Sequence, residues 1–344
     1  MRPQRADENY FPDKFAGKPI SAPPSTTPTH ADAPFTEFTI EVNPEDIVEK
    51  GEDYVRGLLD LGVNRVSMGV QSLDDGILRW MNRRHDAAHA REAFRILRSA
   101  GVGNISVDLI FGLSQLSEAI LSETLAEVLA WRPEHVSAYQ LSIEPGSALA
   151  GMMREGRYAE ATQEQCAAQY RLLCEALGAA GYVHYEISNW ALPGFEAIHN
   201  SAYWTRHPYV GLGPAAHSFD GTTRSWNASS ARHSGQRPPE TSGSAGPLPS
   251  DDGPLPLTMP RVARFPDAAA ACDEGNERVS EEEAKEEEIM LGLRTARGIP
   301  EGLVAPERAE VMLADGRLAR LDGGRLRIPE DHWFVSDDII ADLI

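Results

Sequence analysis

Residues 65–70, Arg65-Val66-Ser67-Met68-Gly69-Val70, and residues 105–110, Ile105-Ser106-Val107-Asp108-Leu109-Ile110, decide the fold of this chain. Both are short runs rich in β-branched and aliphatic side chains. Between them Ala90, Ala93, Phe94 and Leu97 recur at the spacing of one buried helical face. Working outward, the same alternation repeats. Phe38 to Glu41 reads as a strand, and Pro44-Glu45-Asp46 opens a helix running towards Leu61. Ser117 to Trp131 reads as a helix, His135 to Leu141 as a strand, Thr162 to Gly181 as a helix and Tyr185-Glu186-Ile187 as a shorter fifth strand. Strands alternating with helices of this length predict βαβ units, a parallel sheet and the α/β class.

In parallel barrels the chemistry gathers at the C-terminal edge of the strands. Polar residues fall there in this sequence: Glu41 ends the first strand, Gln71 the second, and Asp108 lies inside the third. Each is expensive to bury among Val, Ile and Leu. One such residue reads as a satisfied structural group, but three at corresponding places predict a ligand site. A second concentration of chemistry spans Tyr185 to Ser218 and centres on His199-Asn200-Ser201-Ala202-Tyr203-Trp204. A histidine followed by two large flat rings can ligate the iron of a macrocycle and stack against it. The alternative is a hydrogen-bonded structural histidine in an aromatic turn.

Bulk properties narrow the classes. The chain has 344 residues, with 52 Asp and Glu against 32 Lys and Arg, for a net charge of −20. Nucleic acid and anionic membranes both demand positive surface, so neither is expected as a partner. No apolar run approaches a spanning helix and no secretory signal follows Met1, so stable membrane insertion is not expected and a cytoplasmic location is. Cys166, Cys174 and Cys272 are too few and too scattered for a disulfide framework. Residues 1–34 lack periodicity and read as a disordered or unmatched lead, and residues 228–279 as a low-complexity insertion. That leaves residues 35–227 as the main domain and 280–344 as a small C-terminal one. In the latter, Ser280-Glu281-Glu282-Glu283 begins a helix, and residues 316–328 read as a hairpin.

Several motifs together resemble one known family. They are Glu41-Val42-Asn43-Pro44, Asn64 to Ser72, Asn82-Arg83-Arg84-His85-Asp86, Asp108 to Leu113, Ser137 to Leu141 with Glu144-Pro145-Gly146-Ser147, and the Tyr185–Ser218 block. The sequence is similar, motif by motif and in the same order, to the radical S-adenosylmethionine enzymes related to oxygen-independent coproporphyrinogen III oxidase. The His-Asn-x-x-Tyr-Trp run resembles the haem-chaperone branch (HemW type). The resemblance covers about residues 35–227 and resumes near 281. It implies a partial parallel (β/α) barrel, truncated at its N-terminus, with a small winged-helix-like α+β domain at the C-terminus. It also implies that Glu41, Gln71, Arg83 and Asp108 contact S-adenosylmethionine, with Gln140 approaching its adenine through backbone groups. By the same inference His199 ligates haem iron, with Tyr203 and Trp204 beside the ring and His217 as a second candidate contact.

The sequence also departs from that family. Its members hold a [4Fe–4S] cluster on Cys-x3-Cys-x2-Cys and bind the methionine end of the cofactor with a Gly-Gly-Gly-Thr-Pro loop. Neither motif occurs here. Cys166 and Cys174 read as small core residues of one helix. The chain supplies about four of the family's six strands, and its first strand should present an unpaired edge. The expectation is therefore a haem chaperone that binds haem for transfer to acceptor proteins. In that role S-adenosylmethionine binding is weak or lost, and radical chemistry with it. The alternatives are an oxidase of porphyrin biosynthesis and a non-functional fragment.

Overall fold

Four parallel strands, Thr39–Val42 (β1), Arg65–Gln71 (β2), Ile105–Phe111 (β3) and His135–Gln140 (β4), form the heart of the computed structural model, which describes residues 35–227 and 275–344. The connections carry Pro44–Asp60 (α1), Asp75–Trp80 (α2), Ala87–Ala100 (α3) and Glu118–Trp131 (α4). Ala148–Arg154 (α5), Gln163–Ala179 (α6), Val183–Glu186 (β5), Asn189–Ala191 (β6) and Ile198–Trp204 (α7) follow. The sheet order is β1-β2-β3-β4-β6-β5, and β6 is antiparallel to both neighbours, so β5 runs with the first four strands. The expected α/β class and parallel sheet are present. The fifth strand begins two residues, and ends one residue, earlier than its sequence pattern indicates. Among the described residues β1 pairs with β2 alone and forms an edge.

The sheet has two unlike faces because side chains alternate along each strand. Val66, Met68 and Val70 of β2, Ile105, Val107 and Leu109 of β3, and Val136 and Ala138 of β4 are all at most 1% exposed. They pack with the buried stripe Ala90, Ala93, Phe94 and Leu97 of α3 and with Leu121, Leu125 and Val128 of α4 in one core. Each large apolar side chain buried there contributes on the order of 1.5–3 kcal/mol. The helices start where side chains can take their first N–H groups: Asp86 accepts from His89, Ser117 from Ile120, and Thr162 forms a capping box with Gln165. Gly101 ends α3 in the left-handed region that glycine adopts without strain.

Packing divides the chain into two units, one formed by the residues up to Thr205 with Glu288–Ile344, the other by Arg206–Glu287. The second unit holds the antiparallel strands His217–Phe219 (β7), Thr223–Trp226 (β8) and Asn276–Arg278 (β9). Helix Glu281–Gly292 (α8) leads back into the first. There Ile299–Pro300 (β10), Pro306–Ala314 (α9), Ala319–Leu321 (β11), Arg325–Arg327 (β12) and Ser336–Ala341 (α10) complete the chain, with sheet order β10-β12-β11. The hairpin expected over 316–328 is β11–β12, which turns through Gly323 and Gly324, both at positive φ. The expected lead 1–34 and most of the expected insertion lie outside the described residues. No helix among the described residues is long and apolar enough to cross a membrane.

Candidate functional site

The face of the sheet turned away from the helical core is polar. Register partners in a parallel ladder point to the same side, which aligns Glu41 with Ser67, Ser67 with Ser106, Gly69 with Asp108, Ser106 with His135, and Asp108 with Ser137. Ser67 Oγ lies 3.0 Å from both carboxyl oxygens of Asp108. Ser106 Oγ lies 3.3 Å from Asp108 Oδ1 and 2.8 Å from His135 Nδ1. His135 Nε2 lies 2.8 Å from the Tyr185 hydroxyl. Burial raises the Asp108 carboxyl above its ordinary value, although the serine hydroxyls oppose this. Burial, with the nearby Arg65 guanidinium, holds His135 well below the usual imidazole range, so the ring is neutral. A neutral ring satisfies both neighbours if Nδ1–H donates to Ser106, whose hydroxyl then donates to Asp108, while Tyr185 donates to Nε2.

Gln71 joins this face by an unusual route. Its φ is +67°, and its carboxamide folds back so that Nε2 would stand 2.7 Å from a Cβ on Gly69. Glycine at 69 therefore makes the space that Gln71 occupies. Arg83 follows α2 in a short turn whose other members are tied down. Arg84 pairs with Glu45 at 2.8 Å, and the buried His85 bridges Glu45 and the Val70 carbonyl, each at 3.1 Å. Among the described residues no ion pair is formed by Arg83. Gln140 is placed differently. It alternates away from Ser137 and Tyr139 and lines a cavity of about 380 Å³ with Gly112, Tyr158, Cys166, Phe334 and Asp337. Of the five residues expected at one ligand, the structure gathers Glu41, Gln71 and Asp108 on the polar face, leaves Arg83 in the turn after α2, and turns the Gln140 side chain, though not its backbone groups, to the cavity.

Helix α7 carries the second group. Its first N–H groups, on Ile198 and His199, donate to the Glu37 carboxylate at 2.7 and 3.1 Å. From the other side Asn200 Nδ2 donates to Glu186 Oε1 at 3.1 Å. Glu186 is fully buried, also takes Asn189 and the Ser188 N–H, and burial pushes its carboxyl up to about 7. Asn200 also hydrogen-bonds the Tyr185 hydroxyl, so a continuous network joins Asp108 to α7. His199 and Tyr203 stand one helical turn apart on an exposed face, ring edge to ring face at 5.0 Å, with the tyrosine hydroxyl 3.1 Å from His199 Nε2. Trp204 falls about 140° further round the helix. Its indole N–H is buried without a partner among the described residues. His217 belongs to the other unit, on β7.

Sequence reasoning did not single out Ser67, Ser106, His135, Tyr185, Glu186 or His85. The signal was available in part, because Ser67, Ser106, Ser137 and His135 recur at alternate positions in strands otherwise built of aliphatic residues.

Known proteins place this arrangement. The Radical SAM superfamily model matches residues 24–128. The structure of coproporphyrinogen III oxidase (HemN) from Escherichia coli, a radical SAM enzyme, superposes with a TM-score of 0.63 at 16% identity, covering 89% of this chain and 69% of that one. The fold is thus that of the radical SAM proteins. The heme chaperone HemW of Mycobacterium tuberculosis (strain ATCC 25618 / H37Rv) is 31% identical over 315 residues, which are 91% of this chain and 73% of that protein. HemW of Bacillus subtilis (strain 168) is 36% identical over 198 residues, 58% of this chain and 52% of that protein. The chain belongs to the HemW family of radical SAM proteins. It spans about half the length of the Bacillus relative.

That family implies S-adenosylmethionine and a [4Fe–4S] cluster. The acceptors on the polar face suit the ribose hydroxyls and ammonium group of the former, and Arg83 suits its carboxylate. The cluster finds no such fit. Cys166 faces the cavity beside Gly112, Cys174 faces His184, and Cys272 lies outside the described residues. The two described thiols thus face different neighbours and do not converge on one cluster.

Proposed function

We propose that this chain is a haem chaperone that binds haem through His199 and delivers it to an acceptor protein. The observation that carries this reading is the presentation of α7. Its histidine and tyrosine face solvent, while the Glu37 carboxylate takes its first N–H groups and that of Glu186 takes the Asn200 side chain. An imidazole so placed is accessible to the iron of a macrocycle, and the Tyr203 hydroxyl at 3.1 Å is the group the iron displaces if it takes Nε2. Tyr203 then flanks the ring, whereas the Trp204 indole N–H is buried. Release needs no opening of the core, which suits a carrier.

Glu41, Gln71 and Asp108 hold S-adenosylmethionine on the polar face, with Arg83 at its carboxylate. The cofactor would supply a reactive sulfonium there. Without thiolates to anchor an iron that chelates it, binding is weak, and the residues position the ligand without a radical step. Haem titration of the purified chain tests the main claim. The chain should give a saturable Soret shift that His199→Ala abolishes. An unchanged spectrum in that variant would show that the haem contact lies elsewhere.

A further inference from the structure

Away from both ligand sites, three side chains from three elements converge on one point. Cys174 comes from α6, His184 from β5, and Glu330 from the 3-10 turn Glu330–Val335. Their ligand atoms all lie within 4.8 Å of one another. His184 Nδ1 is 2.8 Å from Glu330 Oε1 and 4.0 Å from Cys174 Sγ. A tetrahedral zinc-class ion, with bonds of about 2.0–2.3 Å, sets such atoms about 3.3–3.6 Å apart. The two measured separations bracket that range, so small side-chain rotations bring all three atoms onto one ion.

The surroundings are those of a built ligand set. His184 is stacked on Trp190 at 4.0 Å, with the edge of Trp333 at 4.3 Å, which fixes the ring plane. Its other nitrogen, Nε2, faces the Ile187 carbonyl and the Tyr170 hydroxyl, both at 3.4 Å, and Tyr170 itself donates to that carbonyl at 2.8 Å. A histidine that turns one nitrogen to a backbone carbonyl and offers the other is the usual outer-sphere arrangement of a metal ligand. The histidine is buried and Glu330 is 53% exposed, so the point opens to solvent on the carboxylate side and leaves room for water as a fourth ligand.

We propose that Cys174, His184 and Glu330 form a binding site for a divalent transition ion of the zinc class, pinning the C-terminal segment to α6 and the sheet edge. Binding replaces the Cys174 S–H bond with a sulfur–metal bond, and the proton leaves to solvent. A mixed sulfur, nitrogen and oxygen set favours zinc or cobalt(II) over magnesium or calcium, which take oxygen ligands alone.

The test is a cobalt(II) titration of the full chain in a Cys166→Ser, Cys272→Ser background, where Cys174 is the remaining thiol. One equivalent of cobalt should bring up a thiolate-to-cobalt charge-transfer band in the near ultraviolet, and excess zinc should bleach it. Cys174→Ser in that background should abolish the band. Glu330→Gln, a change at a half-exposed position that leaves the fold intact by circular dichroism, should weaken cobalt more than the about 10–100-fold typical of losing an outer-sphere partner. Absence of a saturable band in the parent background, or an unchanged affinity in Glu330→Gln, would overturn the site. Should Cys174→Ser fail to fold, the glutamate variant decides. None of these readouts involves haem, so failure here leaves the His199 proposal intact.

Discussion

The polar sheet face and helix α7, the proposed cofactor and haem sites, are built on opposite principles. On the sheet, Asp108, Ser106 and His135 are fixed by rigid parallel strands and linked through Ser106, with Ser106 and His135 fully buried. The helix has seven residues, none of them buried, and is held by two carboxylates from outside it. A helix that short is not stable alone in water. The difference teaches what each is suited to. A preorganised polar face orients a small molecule without rearranging, whereas a tethered helix can present and surrender a large flat one. Tyr185 and Asn200 join the two, so they are neighbours in a single hydrogen-bond network.

The sharpest way to break this comparison lies within the sheet itself. Leu109 and Asp108 are adjacent but point to opposite faces. Leu109 is 1% exposed in the helical core, and Leu109→Ala should lower the unfolding free energy by about 2–5 kcal/mol. Asp108→Asn removes a carboxyl that burial already disfavours as an anion and keeps an acceptor for Ser67, so it should cost within about 1 kcal/mol. Urea unfolding of the two variants measures both. If they lose stability equally, the polar face is a structural element and its reading as a ligand site fails.

How much of this was legible in the sequence follows from the same alternation. The parallel strands showed because β2 and β3 are seven residues each and their core face is continuous. The three-residue β6 has no room for a period, and its antiparallel insertion between β4 and β5 depends on tertiary pairing. Glu41 and Asp108 were legible as carboxylates among aliphatic residues. Gln71 was legible by position, but its left-handed backbone was not, since nothing local in Val70-Gln71-Ser72 demands it. Gln140 is one residue out of phase with Tyr139, and at a strand end phase decides the face. Glu186 could not be read at all, because its role arises only when Asn189 and Asn200 close around it.

Glu186 offers the next test, directed at the helix side of the comparison. Burial moves its carboxyl from the ordinary 4.5 to about 7. Because the unfolded chain gives up this proton at lower pH than the folded one, the contribution is full below pH 4.5. It fades as pH rises to about 7, by up to about 3 kcal/mol. Glu186→Gln cannot titrate and keeps an acceptor for Asn200. The stability advantage of the parent over this variant should therefore shrink across that window in urea unfolding at a series of pH values. Parallel curves for the two proteins would mean that the carboxylate is already charged and that α7 is held by an ion.

The smallest expected effect on stability carries the finest distinction. A Cβ at residue 69 would stand 2.7 Å from Gln71 Nε2 and 3.8 Å from Asn43 Oδ1. The obstruction is the far end of a flexible side chain, and alanine is no worse than glycine for a strand, so Gly69→Ala should change the unfolding free energy by less than about 1 kcal/mol. The carboxamide must nevertheless leave the polar face. If Gln71 holds S-adenosylmethionine by a single hydrogen bond of about 0.5–1.5 kcal/mol, affinity falls roughly 2- to 13-fold. Equilibrium dialysis with labelled S-adenosylmethionine reads this directly, and His199-dependent haem binding serves as the internal control. Loss of cofactor affinity with haem binding intact separates the two sites in function as they are separated in construction. Loss of both would instead mean that the network through Tyr185 and Asn200 transmits the change from the sheet to the helix.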